Sequence, residues 1–410
     1  MNKIEPKADV VIIGGGVNGC SLAYQLAKKD KKADVVIIGG GVNGCSLAYQ
    51  LAKKDKKVVL CEKNYLCAGA TGRCGAGIRQ QWSTRENAEL AIKSVKIFEQ
   101  LEKELRQEIG LRQGGYLIAV HDKKSMKQAE QNVEMQKKLG LDVSILTPDE
   151  ILDIVPILDV KGMQAIGATF CPTDGHVDPF KATHAYAKAA ERMGAKLYKF
   201  TNVTNIKTKN KRIESVITDK GEIKTDTLVN AAGAWSKQIA EIVDIKLPNK
   251  PFRKEILVTE RVKPMFKAMV ISFKDGIYFS QQDEGQILGG IPIPNEISGY
   301  LTVPTFDFLY HMSKTLTRYA PSLKHVNVIR QWTGYYDVTP DARPILGEVE
   351  GLKGFIQCNG FSGHGFMLSP MVTKLLSDYI VDGKTSDILE SLYLKRYKDK
   401  KLVKEVSVVG

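Results

Sequence analysis

The sequence predicts an α/β fold, α+β in its middle part, in which a Rossmann-like parallel-sheet unit is interrupted by an inserted, mainly antiparallel sheet. Three observations predict it. A glycine-rich turn joins an apolar strand to a helix, and an acidic residue closes the strand that follows. The α/β character then returns three times along 410 residues, separated by strand-rich blocks.

The first elements occur twice. ADVVIIGGGVNGCSLAYQLAKKDKK runs from Ala8 to Lys32 and recurs letter for letter from Ala33 to Lys57. Solenoids need three or more stacked units, so two identical copies read as a recent tandem duplication or an artificial repeat. In each copy DVVII is a run of β-formers, as a parallel strand covered on both faces requires. GGGVNG is the turn, and CSLAYQLAKK places Leu, Ala and Leu at helical spacing. VVLCEK follows the second copy and ends at Glu62, eighteen residues beyond Gly44. That is close to the roughly twenty of a Rossmann-like fingerprint. The strand after the first copy ends in Gly39 rather than in an acid. The second copy is therefore expected to form the site, with residues 1–32 an N-terminal extension. Gly39 permits the tight turn, Gly41 lets the backbone reach a pyrophosphate, and Gly44 lets helix and strand pack closely. Val42 and Asn43 open the helix whose N-terminus favours the anion. Glu62, followed by Lys63, accepts from ribose hydroxyls.

Downstream, GATGRCGAGIRQQW is a glycine-rich loop, and Ser83-Thr84-Arg85-Glu86 reads as a capping box opening a helix to about Glu108. GYLIAV is a strand, Lys123 to Leu139 an exposed helix and Asp178 to Met193 another. VTNIKT, ESVIT and TLVNAAG are strands, with more between Ile256 and Gly290. A helix near Phe306 to Tyr319 and strands around Val328 and Phe355 precede a closing helix, His364 to Ile380. TLVNAAGAWS and CNGFSGHGFM both offer a backbone bare of bulky side chains for close approach of a cofactor.

The net charge of +13 comes from lysines scattered among acids, without a basic, aromatic-studded ribbon, so no nucleic-acid partner is expected. No apolar run approaches the eighteen or so residues of a membrane span, and the start lacks a secretory pattern, so a cytoplasmic location is expected. Seven cysteines show no CxxC or metal spacing, and no metal is expected.

ATGRCGAGIRQQW, FCPTDGHVDPF, VNAAGAWS, GYYDVTPDARPILGE and NGFSGHGFM together resemble the amine-oxidising FAD flavoproteins of the D-amino-acid oxidase, glycine oxidase and sarcosine oxidase group. The pattern is most similar to the β subunits of heterotetrameric sarcosine oxidase and dye-linked L-proline dehydrogenase. The resemblance implies an FAD-binding part at 33–114, 150–248 and 334–410, and a substrate part at 115–149 and 249–333. It implies that Arg79 grips a substrate carboxylate and Tyr278 lines the substrate pocket; His364, among the glycines before the closing helix, is expected to tune the flavin edge or to deter protonation of the amine. Val203 is placed at the adenine; Thr71, Gly72 and Arg73 flank the flavin. Ala232, Gly233, Trp235, Gly360, Phe361, Ser362, Gly363, Gly365, Phe366 and Met367 complete the cofactor set.

Gly334 stands where some relatives carry the cysteine that anchors FAD, so noncovalent FAD is implied. Ile287 stands where they carry an oxygen-activating lysine, and Met367 where they carry a second lysine. The implied reaction is oxidation of a secondary amino acid, proline or sarcosine, by hydride transfer to flavin N5, within a complex holding partner subunits and a downstream electron acceptor. An interface FMN is implied by heterotetrameric relatives, with His176 the nearest histidine for its attachment. A 2-hydroxy-acid or glycerol-3-phosphate dehydrogenase, or a non-catalytic flavin relay subunit, are the competing readings.

Overall fold

In the computed structural model, which describes residues 32–400 and 402–408, the apolar run Val35–Ile38 is a central strand buried along its whole length. The six-stranded sheet around it runs Ile345–Glu348, Phe355–Asn359, Leu228–Asn230, Val35–Ile38, Val58–Cys61, Lys196–Tyr198. All neighbours are parallel except Ile345–Glu348 with Phe355–Asn359. The pleat divides the side chains between two cores. Val35, Ile37, Val58 and Leu60 pack under the helices Val42–Ala52, Arg85–Leu105, Pro179–Arg192 and Gly365–Asp382. Val36, Ile38, Val59 and Cys61 pack under a three-stranded sheet spanning Val203–Lys209, Arg212–Thr218 and Gly221–Lys224. The strand that fills the central slot belongs to the second copy; the first copy, apart from Lys32, lies outside the described residues.

An eight-stranded sheet runs Val328–Val338, Lys250–Arg261, Gln286–Gly290, Tyr278–Gln281, Met269–Ser272, Tyr116–Val120, Gly167–Cys171, Ser144–Leu146. It is antiparallel save for Met269–Ser272 beside Tyr116–Val120. Leu117, Ala119, Phe279 and Ile287 face a helical layer that includes Phe306–Tyr319. Tyr116, Ile118, Met269 and Ile271 face the other way, towards Tyr278. Gly167–Cys171, which the sequence reading assigns to the nucleotide-binding part, pairs with Tyr116–Val120 and Ser144–Leu146 and so joins this sheet.

Two local expectations change. The helix expected from the Ser83 box runs Arg85–Leu105, and its N-cap Thr84 makes no side-chain cap bond within the helix. Both hydroxyls are drawn away: Ser83 Oγ and Thr84 Oγ1 donate to the buried carboxylate of Glu405. The helix expected from His364 to Ile380 runs Gly365–Asp382 and does not close the chain, because Asp387–Ser391 forms a further short helix. Among the described residues no helix is long and apolar enough to cross a membrane.

Candidate active site and cofactor cavity

Two adjoining cavities lie beyond the carboxyl ends of the parallel strands, where ligands of such sheets bind. They hold about 370 Å³ and 60 Å³, and Cys74, Tyr278, Tyr336, Gly363 and Phe366 line both.

At one end of the larger cavity the three fingerprint glycines have distinct roles. Gly39 has φ +116°, and a Cβ there would lie 2.3 Å from the Ala231 carbonyl oxygen. Gly44 lets the helix sit on the turn, since its Cβ would fall 1.9 Å from Gly39 O. At Gly41 an added Cβ would meet only Thr71 Oγ1, at 3.1 Å; the remaining space is cavity. The Val42–Ala52 helix starts at Gly41 without a side-chain cap, and Val42 N–H donates to Thr71 Oγ1. Asn43 Nδ2 donates to Gly365 O, while its buried Oδ1 has no partner among the described residues. Glu62 accepts from Gly40 N at 2.7 Å and Asn64 N at 2.8 Å, leaving each oxygen a lone pair for a hydroxyl. The Lys63 ammonium sits 3.8 Å over the Trp235 ring, which stacks on Tyr300. Val203, Ala232 and Gly233 line this end.

The other end is walled by Arg73, whose Nη1 donates to Thr333 O at 2.9 Å, and by Gly334. Phe361, Ser362 and Gly365 line it too. Gly72 and Gly360 lie behind the wall: a Cβ would strike Cys67 O at the first and Thr339 at the second. Gly363, at φ +93°, leaves room for the Tyr336 ring. Asp337 holds this loop by accepting from Gly360 N at 2.7 Å, and burial pushes its pKa up to about 6. The open space at Gly41, the uncapped helix end and the unpartnered Asn43 Oδ1 fit a dinucleotide such as FAD.

Arg79, Tyr278, His364 and Met367 converge on the smaller cavity, joined by Tyr116 and Tyr336. Arg79 is 1% exposed. Its Nη1 donates to Gln81 O (2.8 Å) and Nη2 to Ser407 O (2.6 Å), and the group packs 4.2 Å from the Trp82 ring. Three of its five N–H donors are left for the cavity. Burial pulls the arginine's pKa below its ordinary value, opposed mainly by Glu405. His364 is pushed down to about 3 by burial and then by the Arg79 charge, so it is neutral; its buried Nδ1 has no partner among the described residues. Glycines make room for the phenols: a Cβ at Gly77 would overlap Tyr116 Oη, and one at Gly290 would lie 2.7 Å from Tyr278 Oη. Burial raises the pKa of Tyr116, Tyr278 and Tyr336.

Sequence reasoning missed Tyr116, Tyr336, Lys254 and Glu405. The two tyrosines lie in GYLIAV and GYYDVTPDARPILGE, quoted as strand and motif without a role for either ring. Lys254 sits opposite Gly334 in the ladder and lines the larger cavity, and burial lowers its pKa. Ile287 is buried under the helical layer, whereas its neighbour Leu288 approaches Gly75. A side chain at 287 therefore points away from the cavity, and its identity says nothing about oxygen. His176 is enclosed: its Nε2 is buried without a partner among the described residues, and burial lowers its pKa to about 4.

Residues 34–379 match the family described as DAO, FAD dependent oxidoreductase. Sarcosine oxidase subunit beta of Arthrobacter sp is 28% identical over 98% of this chain and 94% of its own length. The human mitochondrial dimethylglycine dehydrogenase is 28% identical over 95% of the chain, which spans only 44% of that longer protein. Among solved structures, L-proline dehydrogenase from P. horikoshii superposes with a TM-score of 0.86 at 38% identity, covering 91% of this chain and all of the other. The chain belongs to this family of FAD-dependent oxidoreductases.

Proposed function

We propose that the chain oxidises a secondary amino acid of the L-proline or sarcosine type, with noncovalent FAD in the larger cavity and the substrate in the smaller one. The observation that carries this is Arg79, a buried guanidinium with unused donors, which lines the smaller cavity together with Tyr116, Tyr278 and Tyr336, the last two shared with the larger cavity. Its planar fork suits a carboxylate bidentately. Bound FAD supplies a two-electron acceptor for a hydride from the carbon next to nitrogen. Arg79 and Tyr278 orient the substrate, so that positioning contributes most of the rate. A second positive charge is disfavoured beside Arg79, so the amine binds neutral; neutral His364 adds no opposing charge. Its nitrogen loses one proton as the imine forms, and water hydrolyses an acyclic imine while a cyclic one persists. Gly334 presents no nucleophile to anchor the cofactor.

The relatives named as a subunit and as dehydrogenases support a role within a complex that passes electrons to another acceptor. An FMN between subunits belongs to this proposal as a noncovalent group, since His176 Nε2 is enclosed. Anaerobic mixing with proline, sarcosine, 2-hydroxy acids and glycerol 3-phosphate tests the reading through flavin bleaching. Bleaching by neither amine defeats it. Bleaching only by a hydroxy compound transfers the site to alcohol oxidation.

A further inference from the structure

Segment 402–408 crosses the outside of the Arg79 pocket. Glu405 and Ser407 are buried, whereas Val406 between them is 60% exposed, an alternation that turns two polar residues inward. The segment is tied to the strand-connecting turn by Glu405 N–H donating to Asp341 O at 3.1 Å. The Glu405 carboxylate then takes the N–H and O–H groups of both Ser83 and Thr84, and Nδ2 of Asn87. A carboxylate there also meets the positive end of the Arg85–Leu105 helix. Ser407 N–H donates back to Glu405 at 2.8 Å, and Ser407 O accepts from Arg79 Nη2 at 2.6 Å. A continuous line of hydrogen bonds thus runs from the helix end through Glu405 and Ser407 to the guanidinium. Gln81 O holds the opposite side of the fork.

We propose that Glu405 is a positioning residue for substrate binding: by docking segment 402–408 on the helix end, it holds the Ser407 carbonyl where it fixes the plane of Arg79 towards the smaller cavity. This rests on the reading that Arg79 binds the substrate carboxylate. It assigns the segment to the active site although none of its side chains lines the cavity.

The test uses the FAD-loaded full chain and pyrrole-2-carboxylate, a planar proline isostere without a saturated carbon to oxidise, titrated by its perturbation of the flavin spectrum. Pyrrole, without the carboxylate, is the control. Glu405→Leu is expected to weaken pyrrole-2-carboxylate by about tenfold, worth roughly 1.4 kcal/mol, with pyrrole binding and FAD content unchanged. Glu405→Gln, which keeps an acceptor for the Ser83 pair, is expected to recover most of that loss. Should the leucine variant not fold, the chain ended at Lys400 removes the segment outright and is expected to show the same selective loss. Parent-like carboxylate binding in these variants, together with a loss in Arg79→Lys, overturns the positioning role and leaves the carboxylate reading standing. Parent-like binding in Arg79→Lys as well overturns both. Equal weakening of pyrrole and its carboxylate would reveal a purely structural cap and also overturns the proposal.

Discussion

Arg79→Met removes every guanidinium donor while keeping an unbranched stem on Trp82. A charge-assisted hydrogen bond is worth about 1.5–3 kcal/mol, so losing a bidentate grip costs about 3–6 kcal/mol. That corresponds to a fall of about 10²–10⁴ in kcat/KM for proline or sarcosine. The same change leaves Gln81 O and Ser407 O without their partner, which lowers stability by about 1–3 kcal/mol for each carbonyl that stays buried. Kinetics therefore belong well below the variant's own melting temperature, with FAD content confirmed first. The control substrate is pyrrolidine, which lacks the carboxylate. The expected outcome is a loss for proline that vanishes in the ratio for pyrrolidine, expressed mainly in KM. An unchanged KM for proline, or an equal loss for the two amines, refutes the carboxylate assignment.

Three further outcomes follow from the geometry. Gly39→Ala places a Cβ against the Ala231 carbonyl at positive φ and is expected to cost both fold stability and FAD, whereas Gly41→Val is expected to keep the apo fold and lose FAD affinity; thermal melts with and without added FAD compare them, and equal apo melts contradict the steric argument. Lys254→Met removes a largely buried charge that makes no hydrogen bond or salt bridge among the described residues and is expected to raise the apo melting temperature yet weaken FAD binding in equilibrium dialysis. An apo protein no more stable than the parent counts against that placement. His364 has its pKa lowered from 6.5 to about 3 in the folded chain, so below pH 6.5 the unfolded chain takes up a proton that the folded one refuses. Stability then falls by up to about 1.4 kcal/mol per pH unit as pH drops through that window. Urea unfolding at several pH values is expected to show a shallower acid slope in His364→Gln; identical slopes would show that the ring is not buried neutral.

The nucleotide-binding half was legible because its signals are local. Val35–Ile38, the three glycines and Glu62 act within one βαβ unit, and each has a conformational or hydrogen-bonding reason tied to its neighbours. Arg79, Tyr278 and His364 could be named only through resemblance, and they meet because three distant segments converge on one cavity. What escaped was set at long range. Ser83 and Thr84 have the local form of a capping box, but a carboxylate more than three hundred residues away takes their hydrogen bonds. Lys254 looks like any other scattered lysine until the ladder places it opposite Gly334. Ile287 falls at an informative position in the resemblance, yet the two-residue period of its strand turns it to the opposite face. Gly167–Cys171 has the short apolar character of either sheet, and only its pairing partners distinguish them.

The occupied central slot also has a consequence for folding. Removing either copy of the duplication leaves the same chain, so no side chain distinguishes the two strands that could enter the sheet. They differ in what they leave behind. With the second copy in place, Lys53–Lys57 suffices to connect the helix to Val58–Cys61. With the first copy in place, that connection would have to close over a whole additional copy, at an entropic cost of about 1–2 kcal/mol. Loop length thus favours the observed threading between chemically identical competitors, and the margin is small enough for the alternative to be a minor refolding product.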